Sequence, residues 1–238
     1  MRTKHTRVKQ RSAIAHRRGT LAGRAKAAKH EAVGETSGDK GERTRKLIKK
    51  AISKLATKKD VAEISLADIC KAANLTTGAL YFHFKGKDEA IEEMIIDEVW
   101  SIYTTYKQAT EGCDFDEAIG IILDISTRLH IANKKLPRAI QVVINTRPKA
   151  YAAWIEARSP LIGQLEGAIA DARREKGLPV DPAPYLAHFI LNSVEDLALD
   201  VYQWNNPTLA PFARTPDDWS SRQRALWSWA ILAPFPQT

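Results

Sequence analysis

A chain of 238 residues with 44% hydrophobic content can fill one large domain or two modest ones and bury a sizeable core. Two cysteines, Cys70 and Cys113, cannot build a disulfide scaffold, and no apolar run approaches the ~18 residues of a membrane span, which argues against a secreted mini-scaffold and a membrane-spanning protein. Charge is unevenly placed: residues 1–40 carry 11 Lys and Arg against three acids, residues 41–87 carry 11 against four, and residues 88–238 carry 14 against 21, a polarity that points to a nucleic-acid end and a separate acidic body.

Residues 1–40 hold few large apolar side chains and are expected to be disordered in isolation. They read either as a basic arm that grips phosphates or as a solvated tail. The start is charged and lacks the apolar stretch of a secretory signal, so a reducing, cytoplasmic setting is expected. Residues 42–59 predict an amphipathic helix with Leu47, Ile48, Ala51, Ile52 and Leu55 on one face and Lys46, Lys49, Lys50 and Lys54 on the other.

The stretch Ser65–Lys87 predicts two short helices joined by a tight turn. Leu66, Ile69, Cys70 and Ala73 share one helical face, and Ser65 with Asp68 has the spacing of a capping box. Asn74-Leu75-Thr76 forms the turn. Thr76 or Thr77 can cap the second helix, which begins with small residues and ends in a Tyr, His and Lys edge. From Lys87 on, the pattern is one of long helices: to about Gln108, about 115–133, from Pro137, from Pro148 to Lys176-Gly177, from Asp181-Pro182 to Asn205, and about 217–232. Ser159-Pro160 in the fourth of these is open to two readings, a kink or a fresh helix start. No strand is predicted. The whole is all-α, about nine helices after the tail.

The run Ser65-Leu66-x-x-Ile69, Ala72-Ala73-Asn74-Leu75, Thr77-Gly78-x-Leu80-Tyr81-x-His83-Phe84, followed by Lys85-Gly86-Lys87-Asp88-Glu89, resembles the helix-turn-helix of the TetR family of bacterial transcriptional regulators. The resemblance covers residues 42–97. Behind the basic stretch at 1–40, it implies a three-helix DNA-binding domain at 41–90 and a helical ligand-binding and dimerisation domain at 91–238. By motif, Thr77, Gly78 and Ala79 fall where the family reads bases, Tyr81, His83 and Lys87 where it holds phosphates, and Ser65 and Thr76 are placed to add backbone contacts. Small residues at the helix start suit close approach to base edges, and polar ones at its end suit phosphates.

The resemblance further implies a small-molecule effector among the body helices, with Trp100, Tyr103, Tyr106, Ile122, His130, Tyr151, Trp154 and Phe189 as candidates beside their plain role as core. It also implies a homodimer through the last two helices, which carry Trp204, Trp219, Trp227 and Trp229; the same faces could instead cover the monomer's own core. No cofactor is expected. His130 and His188 lack partners at metal-ligand spacing, so no metal site is expected either. No catalytic residues are expected, because no nucleophile elbow, zinc-protease or nucleotide-loop motif occurs. The resemblance thus implies a ligand-responsive regulator, most simply a repressor, bound to a double-stranded DNA operator. The alternatives are a weakly specific architectural DNA binder driven by the arm, and a helical small-molecule-binding or enzymatic protein with a vestigial helix-turn-helix.

Overall fold

The apolar periodicity becomes nine α-helices and two three-residue 3-10 turns among the described residues, with no strand. The structure is a computed structural model and describes residues 37–133 and 135–235. Of the expected basic arm, residues 1–36 lie outside the described residues. The helices are α1 (Ser37–Ala56), α2 (Leu66–Ala73), α3 (Thr77–His83), α4 (Lys87–Ala109), α5 (Phe115–Ala132), α6 (Leu136–Thr146), α7 (Pro148–Glu175), α8 (Ala183–Tyr202) and α9 (Pro216–Ala230).

Local chemistry fixes most boundaries. Ser65 accepts from the Asp68 amide (3.1 Å) while the Asp68 carboxylate accepts from the Ser65 amide (3.0 Å), the capping box expected from the spacing. Those bonds to Ser65, with help from Lys59, hold the Asp68 carboxyl down to about 2. Asp114 and Thr215 cap α5 and α9 through their side chains as well. Asn74 ends α2 in the left-handed region (φ 53°), which Asn tolerates better than other non-glycine residues, and Leu75 then donates to the Cys70 carbonyl (2.9 Å). Pro160 does not break α7: it lies exposed, and the neighbouring Ser159 hydroxyl donates to the Ile155 carbonyl (2.8 Å).

Ile48, Ile52, Ile64, Ile69, Leu80 and Phe84 make the core of the small N-terminal module, each essentially closed to solvent. α4 continues from this module into the body, where it packs along α7; α7 packs on α8, and α6 on α7. Two details differ from the amphipathic reading. Leu47 is 47% exposed, and Lys49, expected on the solvent face, turns inward to Asp97 of α4 (2.5 Å). The last two helices also divide differently from their sequence pattern. α9 packs chiefly on α5, clamped by Arg224 and Ser228 on Asp116, with Trp219 and Trp227 buried, whereas Trp204 and Trp229 are exposed. Arg173 near the end of α7 is fully buried and donates to the carbonyls of Pro179 (2.5 Å), Ile231 (2.6 Å) and Ala233 (3.1 Å), tying the chain beyond α9 to α7.

Candidate functional site

Helix α3 is buried along one side only. Leu80 and Phe84 belong to the module's core, while Thr76, Thr77, Gly78, Tyr81 and Phe82 are exposed and Ala79 and His83 are half-buried. The Thr76 hydroxyl accepts from the Ala79 amide (3.2 Å) and so caps α3. A Cβ built on Gly78 would meet nothing within 4 Å, so the fold places no demand for glycine there. The absence of a side chain leaves the backbone of the first turn open to an approaching surface.

Two sequence candidates are occupied by structural work. The Ser65 hydroxyl, besides accepting from the Asp68 amide, donates to the Asp68 carboxylate (2.9 Å). The Lys87 ammonium donates to the carbonyls of Ile64 (3.0 Å) and Ala62 (3.5 Å), which pins the start of α4 to the loop before α2. Two residues absent from the sequence candidates are better exposed. Lys85 lies in the open immediately beyond α3. Phe82, 85% exposed, has an edge contact with the His83 ring (centroids 5.1 Å apart). An apolar ring left in water on the outward face of α3 contributes nothing to the core, and groove-facing apolar groups contact thymine methyls.

Arg45 of α1, also missed in the sequence, joins the pieces. Its guanidinium donates to the His83 carbonyl at the end of α3, pairs with Glu93 of α4 and lies 4.2 Å from the centre of the Phe84 ring. Lys149 at the start of α7 approaches the same Glu93 (3.9 Å), and Arg147 approaches Asp88 (3.6 Å). These exposed or half-buried pairs are each worth about 1 kcal/mol or less, but together they connect the end of α3 to α4 and α7.

A second site lies in the body. Residues of α4, α5, α6, α7 and α8 surround a cavity with room of about 60 Å³, enough for a few waters. Of the candidates, Tyr103, Tyr106, His130 and Trp154 line it; Trp100, Tyr151 and Phe189 lie on the surface and Ile122 in the packed core. Glu195 of α8, absent from the sequence candidates, also lines it. The Trp154 indole donates to the Tyr103 hydroxyl (3.0 Å), which donates to Glu195. Arg158 lies over the Trp154 ring (4.1 Å) and donates to Asn192 (2.6 Å). The available sequence signal is Glu195 itself, an acid beside Val194 and Leu197 on a largely apolar helix.

Burial raises the Glu195 carboxyl from 4.5 to about 7, against the pull of Arg158 and the Tyr103 hydrogen bond. The folded carboxyl therefore keeps its proton through a range in which the unfolded one has lost it. Stability from this group is fully present below about 4.5 and is lost as pH rises through about 7. Glu195→Gln, with no proton to lose, should flatten that decline and leave the protein more stable at alkaline pH by roughly 2 kcal/mol. Urea midpoints at acidic and alkaline pH measure this; a variant with the wild-type pH slope would contradict burial of Glu195 as its source.

A capped two-helix unit whose second helix turns its outer face to solvent, set in a basic module, is a helix-turn-helix DNA-binding domain. The domain belongs to the TetR family: residues 48–94 match the family model for bacterial regulatory proteins, tetR family. The chain is 30% identical over 82 residues to the HTH-type transcriptional regulator TtgR of Pseudomonas putida, an alignment that takes in 34% of this chain and spans 39% of the relative's length. Among solved structures, Salmonella enterica GusR matches at a TM-score of 0.60 and 20% identity, covering 83% of this chain and 98% of that one. A TetR-family transcriptional regulator from Bordetella parapertussis 12822 matches at 0.55 and 16%, covering 78% and 94%. The all-α body thus has the fold of these regulators. No helix among the described residues is long and apolar enough to cross a membrane.

Proposed function

We propose that the protein is a dimeric DNA-binding transcriptional regulator of the cytoplasm, held at the nucleoid by its operator, whose affinity for that operator changes when a small molecule enters the body cavity. The observation that carries this reading is α3: its inner residues Leu80 and Phe84 are buried, while its small first turn and its Tyr81 and Phe82 are left open. On this reading residues 41–90 are the reading head and 91–238 the sensing and dimerising body. Thr77, Gly78, Ala79 and Phe82 face bases; Tyr81, His83, Thr76 and Lys85 face phosphates. Ser65 and Lys87 act behind them, holding α2 and α4 in place.

Two copies would present two α3 helices about one DNA turn apart. The dimer contact is assigned to α8 and the end of the described chain, where Tyr185, Phe189 and Phe235 lie ring to ring in the open. α4 supports a coupling route, because Lys87, Asp88 and Glu93 sit at its DNA end and Tyr103 and Tyr106 in the cavity wall. A cavity of about 60 Å³ is smaller than most ligands require, so an effector would part the helices around it. A ligand preferring the parted state shifts the population away from the spacing that fits DNA. Repression released by ligand is the simplest form of such a switch.

The roles separate by mutation. Lys85→Ala should weaken binding to every DNA sequence and flatten the dependence of log K on log salt by about one. Phe82→Ala should leave non-specific binding unchanged and lower affinity for the selected operator about tenfold. Fluorescence anisotropy at several salt concentrations, on operator and on scrambled DNA, reads both. A Phe82→Ala loss equal on the two DNAs would count against base-side placement.

A further inference from the structure

The polar groups around the body cavity are unequal in kind. Trp154 gives its N–H to Tyr103, and Tyr103 gives its O–H to Glu195. His130 donates through Nδ1 to the Ser126 carbonyl (2.8 Å), since a carbonyl can only accept, and burial favours the neutral ring; Nε2 is left as an acceptor. The donors of these three side chains are turned into the wall, whereas the Glu195 carboxyl and the His130 Nε2 remain as acceptors. Ser126, Tyr106 and Gln141 add polar groups that carry no charge. No cation among the described residues comes within ion-pair distance of Glu195. Arg158 is the nearby cation that acts on it, but it does not line the cavity and is engaged by Asn192 and the Trp154 ring. The remaining lining is mostly aliphatic, including Ile140 and Leu199.

We propose that the cavity selects a lipophilic amine, its ammonium set against the Glu195 carboxylate and its apolar body against Tyr106, Trp154 and Ile140. The proposal rests on the reading of this cavity as the effector site. A partly buried carboxylate with one hydrogen-bond donor is costly until a countercharge joins it, and an ammonium both supplies that charge and gains from the surrounding ring faces. An alcohol of the same shape provides no charge. A carboxylate ligand meets the like charge of Glu195 with no cationic side chain on the cavity wall. The carboxyl's position near neutrality fits a group that ionises fully beside a countercharge.

The test uses the full chain and three probes sharing a phenyl ring and a two-carbon stem: phenethylamine, phenethyl alcohol and hydrocinnamate. Each is titrated calorimetrically at about pH 8, where the amine keeps its proton. The amine should bind at least about tenfold more tightly than the alcohol, with hydrocinnamate weakest, and Glu195→Gln should bring the amine to the level of the alcohol. Equal or reversed affinities in the wild type, no detectable amine binding, or an amine preference that survives in Glu195→Gln would overturn the proposal. The wild-type ranking needs no variant to fold. DNA binding by the ligand-free chain is measured separately: its absence would sink the regulator reading, while the probe ranking would still decide the ligand class.

Discussion

Gly78→Glu should lose operator binding by at least about a hundredfold while its dimerisation stays at the wild-type value and its thermal midpoint does not fall below it. Position 78 is exposed in the first turn of α3, and a Cβ there touches nothing in the protein. The folded chain therefore tolerates the side chain. DNA does not: the new carboxylate would enter a groove walled by phosphates, adding repulsion and bulk where the helix must approach closely. Gly78→Ala is the matched control. It removes a flexible residue from a helix and should raise stability by roughly 0.5 to 1 kcal/mol. Binding assays on both variants, with denaturation curves alongside, separate a demand made by DNA from one made by the fold. If Gly78→Glu bound the operator like the wild type, α3 would not be the element in the groove.

Arg173→Leu should be the costliest single change to stability. The Arg173 side chain is closed to solvent and donates to three carbonyls, on Pro179, Ile231 and Ala233. Leucine keeps apolar bulk but leaves those oxygens without their donor, and each buried polar group so stranded costs about 1 to 3 kcal/mol. Because loosening of the last described turn lets water reach some of them, a total near ~3 kcal/mol is expected. Urea denaturation measures it. The segment after α9 should also exchange its amide hydrogens faster, since Arg173 is what fastens it to α7. A variant with the wild-type midpoint would mean that these hydrogen bonds add no net stability.

The helix-turn-helix is legible in the sequence because its determinants are local. The capping pair Ser65 and Asp68 is three residues apart, Asn74 sits where a left-handed residue must end α2, and Leu80 and Phe84 lie on one helical face. The groups that complete the site are not, because they act across long stretches of chain. Arg45 reaches His83 and Glu93, Lys87 reaches back to Ile64, and Glu195 meets Tyr103 from another helix. By motif Lys87 reads as a phosphate-holding residue beyond α3; only packing directs its ammonium to the Ala62 and Ile64 carbonyls. Lys49 reads as solvent-facing for the same reason, its partner Asp97 lying on α4. The tryptophans show a further limit. Periodicity marks all four in the C-terminal region as apolar surface, but whether each faces α5 or water depends on how α9 lies, and Trp227 and Trp229 fall on opposite sides of that division.

The proposed regulatory function depends on α3, carried in a capped helix-turn-helix, reading a specific DNA sequence. Selection from a random double-stranded DNA library with the full chain, run in parallel with Gly78→Glu, puts that dependence to trial. The wild type should enrich a two-fold symmetric site with half-sites about one helical turn apart, and the variant should enrich none. Equal enrichment by both proteins, or wild-type recovery of unrelated sequences only, would contradict the assignment of α3 to the groove.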